Sequence, residues 1–155
     1  MMTRRLLVAL ALLLAAAPLA AQSPGRLATF EKSTLEIEAA GGRHRFTIEL
    51  ALSVEQQSQG LMFRRTMAPD AGMLFVYDLP QPTAVWMKNT LIPLDMLFVG
   101  ADGRIVNIAE RTVPHSTDAV PSAGPVKAVL ELNGGTAQRL GIRPGDRVRH
   151  PLVAN

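Results

Sequence analysis

The stretch Val85–Val99, VWMKNTLIPLDMLFV, sets a lysine, an asparagine and an aspartate inside an otherwise apolar run. Charges are buried only when they are paired, hydrogen-bonded or used. The run divides around NTLIP into two apolar segments, TAVWM (Thr83–Met87) and LDMLFV (Leu94–Val99), which read as buried strands. Lys88, Asn89 and Asp95 are then either a working site at the strand ends or parts of a turn.

The same pattern recurs on both sides. Leu35, Ile37 and Ala39 alternate with polar residues, as do Phe46, Ile48, Leu50 and Leu52. Gly41–Gly42 between them supplies a turn, so the pair reads as a β-hairpin. Ser53 with Gln56 forms a capping box for a helix expected to end near Arg64 or Arg65. Gly60 inside that helix costs roughly 1 kcal/mol relative to alanine, which a close backbone contact would explain. GMLFVY (Gly72–Tyr77) reads as a buried strand, and Asp102–Gly103 turns the chain into RIVNIAE (Arg104–Glu110). Thr112–Pro125 is expected to be a long loop, followed by a strand at VKAVLEL (Val126–Leu132). A short helical turn ended by Gly141 and a last strand at Arg147–His150 complete the chain. Many short strands and one or two short helices predict a mainly β fold, a small antiparallel barrel or sandwich.

The N-terminus has a different character. Arg4 and Arg5 precede the apolar run Leu6–Ala17, and PLAAQ follows. This order describes a secretory signal peptide over residues 1–21, so the protein is expected to be exported to the periplasm. The alternative is an uncleaved anchor, although the run is shorter than the roughly 20 residues that span a bilayer. Residues 22–32, with Pro24 and Gly25, read as a tether before one β-rich domain at 33–155. Without Arg4 and Arg5 the chain has 14 basic and 13 acidic side chains, a net of +1. The arginines are scattered and form no basic stripe, so no nucleic-acid partner is expected. The chain contains no cysteine, which excludes disulfides, thiol catalysis and zinc–thiolate sites.

Strand alternation selects the candidate site. Asp95, Glu110 and Glu131 each share a strand face with branched aliphatic residues, whereas Lys88 falls beside Trp86 and Asn89 beside Met87. These residues can converge as a cavity mouth, with Trp86 as an apolar wall and the acids fixing a polar ligand. In the plainer alternative, strand-end acids meet solvent and Asn89 and Asp95 bond the backbone of the NTLIP turn. The sequence lacks the spacing of a calcium loop, a nucleophile elbow, a dinucleotide fingerprint or a P-loop. His44, His115 and His150 are far apart and read as surface residues; Met62, Met67, Met73, Met87 and Met96 read as core filling. Neither a metal nor a cofactor is expected.

The blocks GLMFRRTM (Gly60–Met67), GMLFVY (Gly72–Tyr77), VWMKNTLIPLDMLFV (Val85–Val99), GRIVNIAER (Gly103–Arg111), VLELNGG (Val129–Gly135) and GIRPGD (Gly141–Asp146) resemble, in order, the family catalogued as domain of unknown function 192. The resemblance runs from about Leu35 to His150. It implies a small, mostly β, often exported domain of bacteria and archaea, and little about activity. The family's recurrent positions fall here on Arg64, Met73, Trp86, Met87, Asn89, Pro93, Asp95, Glu110, Glu131, Gly134, Gly141 and Asp146.

The first functional expectation is a binding module of the cell envelope for a small polar ligand, glycan or peptide. Its pocket would draw on Arg64, Trp86, Met87, Lys88, Asn89, Asp95, Glu110 and Glu131. The alternatives are a structural or assembly protein offering a strand edge, and an envelope hydrolase using the Asp95, Glu110 and Glu131 carboxylates. Catalysis ranks below binding, and a monomer or weak oligomer is expected.

Overall fold

The computed structural model describes residues 27–154; the expected signal peptide at 1–21 and the expected tether as far as Arg26 lie outside the described residues. Strand β1 (Glu31–Ala39) begins within the last two residues of the expected tether. It pairs with β2 (Gly42–Ala51) as the anticipated antiparallel hairpin, from Glu31 opposite Leu50 to Ala39 opposite Gly42. Helix α1 (Val54–Gln59) starts on the Ser53–Gln56 capping box, with both reciprocal bonds present. It stops before Arg64 because Gly60 leaves the helical region at φ 50, its N–H still closing on Gln56 O at 2.8 Å. A Cβ at Gly60 would lie 3.0 Å from the Phe75 ring, so the close contact suspected there is with that ring.

Strand β3 (Ala71–Gln81) runs parallel to β2, from Thr47 opposite Ala71 to Ala51 opposite Phe75. This departs from the all-antiparallel expectation: α1 and the chain after it return to the same end of the sheet, a crossover that makes the next strand parallel. The remaining elements are β4 (Ala84–Val85), β5 (Leu94–Val99), β6 (Ile105–Thr112), β7 (Val120–Pro121), β8 (Val126–Asn133), α2 (Thr136–Leu140) and β9 (Arg147–Arg149). Among the described residues, seven strands form one sheet in the order β6-β5-β8-β3-β2-β1-β9, and β4 pairs with β7 in a second, two-stranded sheet. The large sheet curls until its edges meet at one end. There Arg104 bridges to Arg147, Ile105 donates to Asp146 O at 2.9 Å and Val148 donates to Gly103 O at 2.8 Å.

Each face of the curled sheet carries its own core. The concave core draws on every strand of the sheet, including Leu35, Ile48, Leu74, Leu97, Ile105, Leu130 and Val148. The convex core lies over β3, β5 and β8 and contains Met73, Phe75, Met87, Met96, Phe98 and Val129. Val85 and Val120 of the small sheet pack onto it. Strand β5 is buried at all six positions because both faces are covered. Met73, Met87 and Met96 are core residues, as expected of methionines filling irregular gaps. His150 departs from the surface expectation. It is 5 % exposed, with Nε2 3.0 Å from Ser33 Oγ.

Candidate functional site

The central pairing decides where the acids go. Met96 of β5 stands opposite Glu131 of β8, and Asp95 stands opposite Leu132. Side chains alternate across a strand, so Glu131 projects to the convex face with Met96, and Asp95 to the concave face with Leu97. Asp95 and Glu131 therefore do not converge.

Asp95 is fully buried and fully bonded. Its Oδ1 accepts the N–H of Arg111 at 2.8 Å and of Gly135 at 2.9 Å, and Oδ2 accepts that of Ala137 at 2.8 Å. The Arg111 N–H is free for this because β6 carries a bulge there. Leu94 pairs with Thr112 and Met96 with Ala109, so Glu110 and Arg111 together face Asp95, with Arg111 at φ 48. Asp95 thus ties β6 to the start of α2. Glu110, on the same bulge, is exposed on an edge strand and lines no cavity with Glu131.

The other predicted residues also separate. Arg64 is ion-paired with Glu49 and sits 5.8 Å from the Phe30 ring centroid, away from Glu131. The Thr83–Asn89 segment is strand only at Ala84–Val85, so face alternation does not extend to Lys88 and Asn89. Asn89 is a turn residue at φ 54 whose carbonyl accepts the Phe63 N–H at 2.9 Å and whose Nδ2 lies 3.9 Å from the Met62 sulfur. Met87 is in the convex core, with Thr112 Oγ1 3.1 Å from its sulfur. Trp86 is 50 % exposed, and Lys88 Nζ lies 5.2 Å from its ring centroid.

Trp86 and Glu131 do share a cavity. It lies between α1, the convex side of β3 and β8, and the β4–β7 sheet, and measures about 380 Å³. Gly60, Met62, Phe75, Tyr77, Trp86 and Glu131 define its character, with Gln57 and Thr90 as further polar groups. Glu131 is 5 % exposed and has no hydrogen-bond or ion-pair partner among the described residues. Burial pushes its carboxyl up to about 8. The Tyr77 phenol is raised by burial; a hydrogen bond with Thr83 pulls it back in part, and the charge of Glu131 pushes it up again.

Tyr77 is a cavity residue that the sequence pattern did not single out. Val76 pairs with Ala128 and Gln81 with Val126, so Tyr77, Asp78, Leu79 and Pro80 bulge opposite Lys127. Lys127 Nζ donates to the freed carbonyls of Tyr77 at 2.6 Å and Asp78 at 2.9 Å. The one available signal was Pro80, which cannot donate to a ladder. Among the described residues, no cluster of three or more His, Cys, Asp or Glu side chains is placed to hold a metal. Among the described residues, Glu131 is the carboxylate that lines this cavity.

A curled β domain with a single unpaired acid in an aromatic-walled cavity is the class that fold and site define. The chain belongs to the DUF192 family, described as "Uncharacterized ACR", whose model matches residues 35–150. Two solved structures resemble it. One is a candidate transcription regulator from Sinorhizobium meliloti 1021, 50% identical over 79% of this chain and 95% of that chain, with a TM-score of 0.76. The other is a protein of unknown function from Novosphingobium aromaticivorans DSM 12444, 43% identical over 85% of this chain and 94% of that chain, with a TM-score of 0.78. Among curated proteins none matches.

Proposed function

We propose that this chain is an exported small-ligand-binding module whose ligand enters the cavity between α1 and the β3–β8 face. One observation carries the reading: Glu131, nearly fully buried and without a partner among the described residues, opens into a cavity walled by Phe75, Tyr77 and Trp86. A volume of about 380 Å³ falls at the lower end of the roughly 300–1,000 Å³ typical of small-molecule sites. Leaving a carboxyl in such a place costs stability unless a ligand satisfies it. Arg43, Arg45, Arg64 and Arg149 are ion-paired with glutamates, which weighs against a nucleic-acid role of the kind that the description of the Sinorhizobium meliloti protein names for that protein. Export rests on Arg4, Arg5, the Leu6–Ala17 run and PLAAQ, and N-terminal sequencing of the protein recovered from cells tests it.

A fragment screen read by the Met62 methyl and Trp86 indole NMR signals tests the cavity. Fragments are expected to shift both signals in the wild type and neither in Ala84→Trp, which fills the space from β4. Shifts that persist unchanged in Ala84→Trp, or a diverse library that moves neither signal, would remove the reading.

A further inference from the structure

We propose that the cavity takes a small protonated amine with an apolar body, its ammonium held by Glu131 and its hydrocarbon part against Phe75, Tyr77 and Trp86. This rests on the cavity reading above and adds the chemistry of the occupant. Among the described residues, Glu131 and Tyr77 are the titratable groups in the lining, and no lysine, arginine or histidine lines it. The nearest candidates to neutralise Glu131 are committed elsewhere. Lys127 shares its face of β8 but donates to the Tyr77 and Asp78 carbonyls. Lys88, on the chain after β4, rests on the Trp86 ring. Across β3 and β5 the register neighbours of Glu131 are Met73 and Met96, which offer no charge. Helix α1 presents Gln57 and Gln59, both neutral, with Gln57 bonded to Ala51 O and Val76 O.

An anion in this cavity would face the one acid. A neutral acceptor would gain a single hydrogen bond from the protonated form. An ammonium gains charge-assisted hydrogen bonds, roughly twice as strong as neutral ones. It also gains the attraction of aromatic faces. The elevated Glu131 carboxyl means that amine binding at neutral pH also releases a proton.

The test titrates the mature protein with cyclohexylmethylamine, cyclohexylmethanol and cyclohexanecarboxylate, following the emission of Trp86, the one tryptophan of the chain. Cyclohexylmethylamine is expected to bind at least about tenfold more tightly than the alcohol at pH near 8, equivalent to roughly 1.4 kcal/mol. Its affinity rises with pH from about 6 to about 8.5 as Glu131 ionises, whereas that of the alcohol does not. Glu131→Gln loses the preference and keeps the alcohol affinity; Glu131→Asp, tested beside it as a second variant, keeps the preference. An alcohol that matches the amine, or a preference that survives in Glu131→Gln, overturns the amine assignment and leaves the cavity reading standing. Binding of Nα-acetyl-lysine methylamide as tightly as the free amine overturns it in favour of a peptide side chain. Failure of all these probes to bind at their solubility limits overturns both.

Discussion

Met96 and Glu131 face each other across β5 and β8, and this one register pairing sends two acids separated by a single pleat into opposite environments. Asp95, on the concave side, receives three backbone N–H groups. Glu131, on the convex side, receives none and borders open space. Each acid lies in a continuous buried stretch of its strand. Only the satisfied one is part of what holds the fold; the other makes the fold less stable when ionised and gives the cavity its chemistry.

Asp95→Asn is expected to destabilise the domain without touching the cavity. An amide retains one acceptor but turns an NH₂ toward a backbone N–H that needs an oxygen. A buried donor left unpaired costs about 1–3 kcal/mol, so a loss of that size follows. For a domain of this size that lowers Tm by roughly 10 °C. Urea denaturation measures the loss, and the Trp86 emission of the folded variant should match the wild type. A variant as stable as the wild type would show that Asp95 does not hold β6 to α2.

The Glu131 carboxyl gives stability a second signature. Its folded-state value, about 8, lies above the unfolded one, so the folded state holds the proton more tightly. Stability from this group is full below the unfolded value, near 4.5, and is lost as pH rises through about 8. With about 1.4 kcal/mol per unit, the loss is on the order of 5 kcal/mol. Glu131→Gln should remove this slope and be the more stable protein above pH 8. Parallel stability–pH profiles for the two proteins would mean that the carboxyl titrates normally.

Where local rules agreed with the tertiary structure, the sequence was readable. The β1–β2 hairpin, the Ser53–Gln56 box, β5, β8 and the Gly141 stop of α2 each follow from periodicity or from one turn or cap residue. The site was less legible because bulges move side chains off the period-two pattern. The Arg111 bulge leaves Glu110 in solvent, and the Tyr77–Pro80 bulge brings Tyr77 to the cavity rim. Two-residue strands are too short to show any period, so β7 was hidden inside the expected loop and β4 was overextended through Trp86 to Asn89. Trp86 and Glu131 line one cavity by tertiary packing of the small sheet rather than by shared strand alternation.

Gly72 sets the distance between β3 and β8 beside Glu131. A Cβ there would lie 2.6 Å from Glu131 O and 2.7 Å from Leu132 Cδ2, and the first of these is backbone that cannot swing aside. Gly72→Ala is expected to cost about 1–3 kcal/mol as the strands separate. Faster amide exchange should be confined to β3, β8 and their neighbours. Unchanged exchange along β8 would show that the sheet absorbs the methyl without moving.

His150 provides the acid-side limit of stability. The Leu152 N–H donates to His150 Nδ1 at 3.3 Å, so Nδ1 is an acceptor and Nε2 carries the proton toward Ser33 Oγ, 3.0 Å away. Protonation would put a hydrogen on Nδ1 against that backbone donor, and burial lowers the ring below its ordinary value. A lowered folded-state value means that the neutral ring stabilises the fold above the unfolded value, near 6.5, and that this contribution falls away as pH drops through the folded-state value. His150→Gln keeps an acceptor and a donor on the side chain but cannot titrate, so its stability should decline less than that of the wild type below pH 6.5. Denaturant midpoints measured from about pH 7 down to about pH 5 read the difference. Equal declines in the two proteins would show that His150 is not the source of the acid sensitivity.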